Sequence, residues 1–472
     1  MQYVSTRGRA PALDFEGVTL AGLASDGGLY LPVEWPRFSH AEIRSLRGQP
    51  YWQVAASVMR PFIGDSLTEA ELNAICQQVY GGAFHHAAVT PLVQLDEQHW
   101  LLELFHGPTL AFKDVALQLL GRLFETFLER RDERLTIVGA TSGDTGSAAI
   151  HAVAGRKRSE IFMLHPKGRV SDVQRRQMTT VRAPNVHNLA IEGSFDDAQA
   201  HVKRMFNDGD VTATLNLGAV NSINWARLMA QVVYYFTSAL QLGAPDRKVA
   251  YSVPTGNFGD VFAGYVAAQM GLPIERLIVA TNVNDILHRA LSRGDYSAGG
   301  VTPTITPSMD IQVSSNFERL LFDCGGRDGA AMAAQMRGFE TSRAMHLTNA
   351  QAEGAAALFA SQSVDQIETA RAVQQAYQGA QQIIDPHTAV GLGAAHALVA
   401  AGAIDPVVPI VTLATAHPAK FPDAVERAIG VRPSLPSRVG DLFGREERMV
   451  ELAGDYATTR DYVLSHAAGS KR

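Results

Sequence analysis

Residues 100–150 read WLLELFHGPTLAFKDVALQLLGRLFETFLERRDERLTIVGATSGDTGSAAI. Two short apolar runs, WLLELF (100–105) and LTIVGA (135–140), flank VALQLLGRLFETFLER (115–130), whose apolar residues recur every three or four positions. A strand-like run, an amphipathic helix and a second run are the pattern of parallel strands joined by a crossover. The alternation continues outward through IFMLH (161–165), VHNLAI (186–191), VAYSV (249–253), LIVAT (277–281) and VPIVTLAT (408–415), with WARLMAQVVYYFTSAL (225–240) as a further helical pattern. Toward the N-terminus, PYWQVAASVMRPFIG (50–64) and LTEAELNAICQQVY (67–80) also carry helical spacing. The stretch 326–380 reads as helical again, and the tail beyond about 430 is polar, with Pro433 and Pro436. The expected fold class is α/β, with two parallel-sheet α/β domains and a mainly helical N-terminal domain. The expected boundaries are 1–92 for the helical domain, 93–134 with 245–430 for a larger α/β domain, 135–244 for a smaller one, and 431–472 for a C-terminal extension.

Composition narrows the function. The 472 residues include 41 Lys plus Arg and 47 Asp plus Glu, a formal charge of −6, with 46% hydrophobic and 19% charged residues. Disorder and a collagenous or low-complexity chain are excluded, and no basic run suits a nucleic-acid partner. Two distant cysteines, Cys76 and Cys324, make no disulfide framework and point to a reducing compartment. MQYVSTRGRAP lacks the apolar core of a signal peptide. The longest apolar stretch, Ala389 to Ile404, is broken by His396 and glycines, short of the ~20 residues a membrane span needs. A cytoplasmic protein with no membrane partner is expected.

In open parallel sheets, ligands bind beyond the carboxyl ends of the strands. After WLLELF, Lys113 stands between a Gly-Pro turn and a helix. A lysine losing hydration there suits a Schiff base with an aldehyde cofactor; the plainer reading is an exposed helix-start lysine. After LTIVGA, the turn Ser142-Gly143-Asp144-Thr145-Gly146 leads into a helix predicted to begin near Ser147; it suits an anion or is a common Gly-rich turn. After VAYSVP, Thr255-Gly256-Asn257-Phe258-Gly259-Asp260 makes a nest of N–H groups suited to phosphate, distinct from a Walker A loop. After VPIVTLA, Thr415 offers a hydroxyl to a ring nitrogen or caps a helix, and Asp385 or Thr388 caps another. Among 15 histidines, His85, His86, His99 and His106 lie close in sequence, but no H-E-x-x-H or Cys/His spacing is present, so no metal is expected. No G-x-S-x-G supports a serine nucleophile.

Taken together, HGPTLAFKD (106–114), SGDTGSAA (142–149), PTGNFGD (254–260) and ATAHPAKF (414–421) resemble the threonine synthases, pyridoxal-phosphate enzymes of fold type II. YVSTRG (3–8), PKGRVSDVQRRQM (166–178), EGSFDDAQ (192–199), NSINWAR (221–227) and DPHTAVG (385–391) add to the resemblance, which runs from residue 3 to about 430. Asp144 stands where related cysteine synthases and threonine dehydratases usually carry asparagine, which favours the threonine synthases. The resemblance implies pyridoxal 5'-phosphate as cofactor, bound mainly by the larger domain. Lys113 would form its imine and act as base. Gly256, Asn257, Phe258 and Asp260 would cradle its phosphate, mainly through backbone amides, and Thr415 would meet its ring nitrogen. Ser142, Gly143, Asp144 and Thr145 would line the substrate side. Asn221, Ser222, Asn224 and Arg227 would receive the substrate phosphate, arginine being suited by its planar fork.

The reaction implied is O-phospho-L-homoserine plus water giving L-threonine and phosphate, by γ-elimination and β-addition of water. A monomer or homodimer acting on this small molecule is expected. Two alternatives stand beside it: a related fold type II lyase or dehydratase, and a non-enzymatic sensor of phosphorylated ligands on the same fold.

Overall fold

The computed structural model describes residues 1–468. Its strands, in chain order, are β1 (Tyr3–Ser5), β2 (Tyr30–Pro32), β3 (Leu92–Gln94), β4 (His99–Glu103), β5 (Leu135–Ala140), β6 (Ser159–Pro166), β7 (Val186–Ile191), β8 (Leu217–Gly218), β9 (Val249–Pro254), β10 (Ile274–Thr281), β11 (Phe359–Ser363), β12 (Ile410–Ala414) and β13 (Val450–Leu452). The chain divides into two units. The larger comprises Met1–Val18, Leu23–His106 and Ser222–Ser434; the smaller comprises Thr19–Gly22, Gly107–Asn221 and the chain from Leu435.

The larger unit is built on a six-stranded sheet in the order β11-β10-β9-β12-β4-β3. All neighbours are parallel except β3, which closes the edge as an antiparallel hairpin with β4. The central strand β9, VAYSVP, is buried at every position. A strand covered on both faces needs no polar alternation, which is why it reads as an apolar run. The helices Gln366–Ala380 and Pro386–Ala400 pack together, and Ala394 and Ala395 meet Ala250, Ile278 and Ile410 in one cluster. The N-terminal segment belongs to this same unit rather than forming one of its own. Its helices Tyr51–Ile63 and Glu69–Tyr80 follow the predicted periodicity, the second opened by a Thr68/Glu71 capping box. The first packs on the helix Trp225–Gln241, whose residues 225–239 are all buried.

The smaller unit carries an all-parallel sheet in the order β13-β7-β6-β5-β8. The helices Lys113–Arg131 and Asp144–Val153 pack so closely that a Cβ on Gly121 would lie 2.4 Å from the carbonyl oxygen of Ala152. The structure draws its boundaries differently from the sequence expectation. The 113–131 helix falls in the smaller unit, and helix 225–241 in the larger. The polar tail is not a loose extension: Tyr456 and Val463 of the helix Tyr456–His466 join a core with Phe162, Leu164 and Leu189. β11 interrupts the stretch expected to be wholly helical. Among the described residues no helix is long and apolar enough to cross a membrane.

Candidate active site

In the smaller unit, Lys113 is the first residue of its helix, and the turn before it is fixed from below. Asp114, fully buried, accepts hydrogen bonds from the Thr109 amide (2.8 Å) and the Thr109 hydroxyl (2.7 Å). Gly107 must be glycine, because a Cβ there would come within 2.4 Å of the Asp114 Cβ. Lys113 itself is only 11% exposed at its side chain, so the reading of an exposed helix-start lysine fails. Its Nζ lies 3.4 Å from Oδ2 of Asp144 and 4.7 Å from the centre of the Phe112 ring. The other carboxylate oxygen, Oδ1, accepts from Nε2 of Gln174 at 2.8 Å. Asp144 is thus aimed by one neighbour while it faces the lysine.

The turn before Asp144 is shorter than predicted, because the helix begins at Asp144 and not near Ser147. Gly143 caps it at φ 143°, a conformation that side chains disfavour, and any Cβ there would strike Gln174 at 2.4 Å. The Thr141 hydroxyl accepts from the amides of Gly143 and Gly146, both at 2.9 Å. Gln177, from the same helix as Gln174 (Asp172–Thr179), donates to the Thr109 carbonyl at 2.9 Å. The two turns and this helix therefore form one polar network. Lys113, Gly143 and Asp144 come together in it; Thr145 follows Asp144 on the helix, half-buried, and Ser142 is exposed.

In the larger unit, β9 ends at Pro254 and the helix Gly259–Gln269 starts five residues later. Phe258 holds the left-handed conformation (φ 62°), locked by its buried ring against Phe317 and Phe359. The carbonyls of this turn are tied from behind. Ser314 Oγ donates to the Gly256 carbonyl at 2.7 Å, and Asn316 donates to the Asn257 carbonyl through its amide (3.1 Å) and its Nδ2 (2.9 Å). In a trans peptide the N–H points opposite to the C=O. Fixing those two carbonyls therefore turns the amides of Asn257 and Phe258 to the other side, beside the first-turn amides of the helix, which such helices leave unpaired. Gly256 has no room for a side chain, since a Cβ would lie 2.6 Å from the Ser308 carbonyl oxygen. The Asp260 carboxylate does not compete with an anion: it accepts from the hydroxyls of Tyr234 and Tyr235 on helix 225–241. Burial pushes both phenols well above their usual pKa, keeping them donors. A nest of amides at a helix start, with carboxylate turned away, fits a phosphate.

Asn316 also bridges to Ser222, donating from Nδ2 to its carbonyl at 3.1 Å, so the predicted Ser222 does lie beside the predicted phosphate turn. Arg319 donates to the Asn316 side-chain oxygen and to the carbonyls of Tyr30 (3.0 Å) and Ile223 (2.6 Å). Sequence reading missed Ser314, Asn316 and Arg319; the only trace is a set of polar residues inside SSNFERLLF, where helical spacing demands burial. Asn224 spends its Oδ1 on capping helix 225–241 through the Ala226 amide (2.9 Å). Arg227 is 4% exposed, and its Nε and Nη1 have no partner among the described residues. Burial lowers its pKa to about 10, and an anion is what such a guanidinium lacks. The Asn221 side-chain oxygen is likewise buried without a partner. Thr415 follows β12 directly and is buried, at the carboxyl end of the sheet.

These features can be set beside known proteins. Residues 2–80 match the family description "Threonine synthase N terminus", 83–361 match "Pyridoxal-phosphate dependent enzyme", and 388–463 match "Threonine synthase, C-terminal". The chain is 54% identical over 472 residues to a threonine synthase of Pseudomonas aeruginosa, covering 100% of both. It is 43% identical to that of Saccharomyces cerevisiae, over 90% of this chain and 89% of the yeast protein. Among solved structures, a pyridoxal-phosphate-bound threonine synthase from Brucella melitensis superposes with a TM-score of 0.96 at 52% identity, covering 99% of this chain and 100% of that one.

Proposed function

Because the chain belongs to the threonine synthase family of pyridoxal-phosphate enzymes, we propose that it converts O-phospho-L-homoserine and water to L-threonine and phosphate. The observation that carries this reading is Lys113, nearly buried at a helix start with Asp144 3.4 Å from its Nζ. Bound cofactor supplies the electron sink that stabilises negative charge as protons leave the substrate. Lys113 would hold the cofactor aldehyde, the Asn257 and Phe258 amides with the 259–269 helix start would bind its phosphate, and Thr415 would meet its ring nitrogen.

The net chemistry removes protons from Cα and Cβ, expels phosphate from Cγ, adds water at Cβ and returns protons to Cγ and Cα. One positioned amine serves the proton steps, which is the task of Lys113. Asp144, aimed by Gln174, keeps that amine oriented. The Arg227 guanidinium, whose Nε and Nη1 have no partner among the described residues, would receive the phosphate that leaves, with Asn221 and Ser222 nearby in sequence.

The test is phosphate release from O-phosphohomoserine, with and without added pyridoxal phosphate, against ammonia release from serine and threonine. Phosphate release accompanied by threonine supports the reading. Ammonia release alone would make the protein a dehydratase, and neither product, with no absorbance at about 410–430 nm, would leave a ligand sensor. Lys113→Ala is expected to abolish both turnover and that absorbance; near-wild-type activity in this variant would refute the assignment.

A further inference from the structure

The β3–β4 hairpin and helix 386–400 bring together three ligating side chains that the reaction does not use. Asp96, in the hairpin turn, accepts through Oδ1 from the amides of Gln98 (2.8 Å) and His99 (2.7 Å). Its Oδ2 lies 3.0 Å from Nδ1 of His99, the first residue of β4. The His99 ring is buried, and its other nitrogen, Nε2, has no partner among the described residues. His396, on helix 386–400, sets its ring 4.6 Å from that of His99 at an interplanar angle of 82°. One ligand atom from each of Asp96, His99 and His396 lies within 4.8 Å of the other two.

We propose that Asp96, His99 and His396 form a site for a divalent transition-metal ion of the zinc class. Two imidazoles and a carboxylate are the donors such ions prefer. With bonds of about 2.0–2.1 Å, ligands of a tetrahedral ion stand about 3.3 Å apart, so closing a 4.8 Å triangle needs only small side-chain rotations. Entry is open: Asp96 is exposed, and His396 also lines a cleft of about 490 Å³ with Gln362, Glu368, Arg371 and Gln375. Three protein ligands leave a fourth position for water. The bound ion would pin the hairpin to the helix.

The experiment uses chelator-treated holoenzyme and Zn²⁺ alone as titrant, followed by calorimetry and thermal melting. The wild type is expected to take up one more equivalent than His396→Ala and to gain about 2 °C or more in Tm that the variant does not. Co²⁺ in place of Zn²⁺ should give visible bands at about 500–600 nm, clear of the cofactor, that vanish in the variant. Asp96→Asn keeps the acceptor for both amides while removing the charge, so it tests the site if the histidine variant misfolds; it should weaken Zn²⁺ at least about tenfold. Retained cofactor absorbance and turnover in either variant show that the fold is intact. Equal stoichiometry and affinity in wild type and Asp96→Asn, or a wild type that takes up no zinc here, would overturn the proposal.

Discussion

Asn316 shows how a side chain outside a binding turn sets what the turn can hold. Arg319 can only donate, so its bond to Asn316 fixes which end of that amide is oxygen and which is nitrogen. The nitrogen is thereby aimed at the carbonyls of Asn257 and Ser222. Asn316→Ala removes this support without touching the amides themselves. Cofactor affinity should fall about tenfold, the value of one or two buried hydrogen bonds. Titrating stripped enzyme with pyridoxal phosphate measures this, and saturating cofactor should restore turnover, as it cannot for Lys113→Ala. Undiminished affinity would mean the turn holds itself. Lys113 and the 256–260 turn were singled out by the resemblance, each standing beyond the carboxyl end of its own strand, β4 and β9. Asn316 and Arg319 were not, because their partners at positions 257, 222 and 30 are distant in the chain and adjacent only in the fold.

At the level of elements, the predicted strands and long helices formed where burial on both faces made the signal continuous, as in β6 and β9. β11 escaped notice because FASQS, an edge strand buried only at Phe359, carries no apolar run. The start of helix 144–153 was misplaced because Gly143 completes the turn in a conformation that other residues avoid. Two predictions belong here. Gly121→Ala forces a methyl against the Ala152 carbonyl and should cost about 1–3 kcal/mol, read as a lower denaturant midpoint. His187, on β7, is stacked at 4.3 Å on Phe162, and its pKa is lowered to about 4 by burial, then by His466 and Arg448. In the unfolded chain it titrates near 6.5. The neutral ring therefore contributes stability that is full above pH 6.5 and is lost as pH falls toward 4. His187→Phe should show a shallower decline in Tm across that window; an identical decline would place the acid sensitivity elsewhere.

At the scale of the whole molecule, neither unit is one continuous stretch of chain. The smaller one takes up Thr19–Gly22, then Gly107–Asn221, and is completed only from Leu435. Its last strand, β13, pairs with β7 through Val450↔Leu189, Glu451↔Ala190 and Leu452↔Ile191. Among the described residues, those three are the ones paired as a strand with that edge of the sheet. A protein ending at Ser434 would present β7 as a naked ladder of amides and carbonyls, the kind of surface on which a neighbouring chain adds a strand of its own. Such a truncation should aggregate at concentrations where the intact protein stays dispersed, as light scattering would register. The polar C-terminus is in this sense insulation against polymerisation.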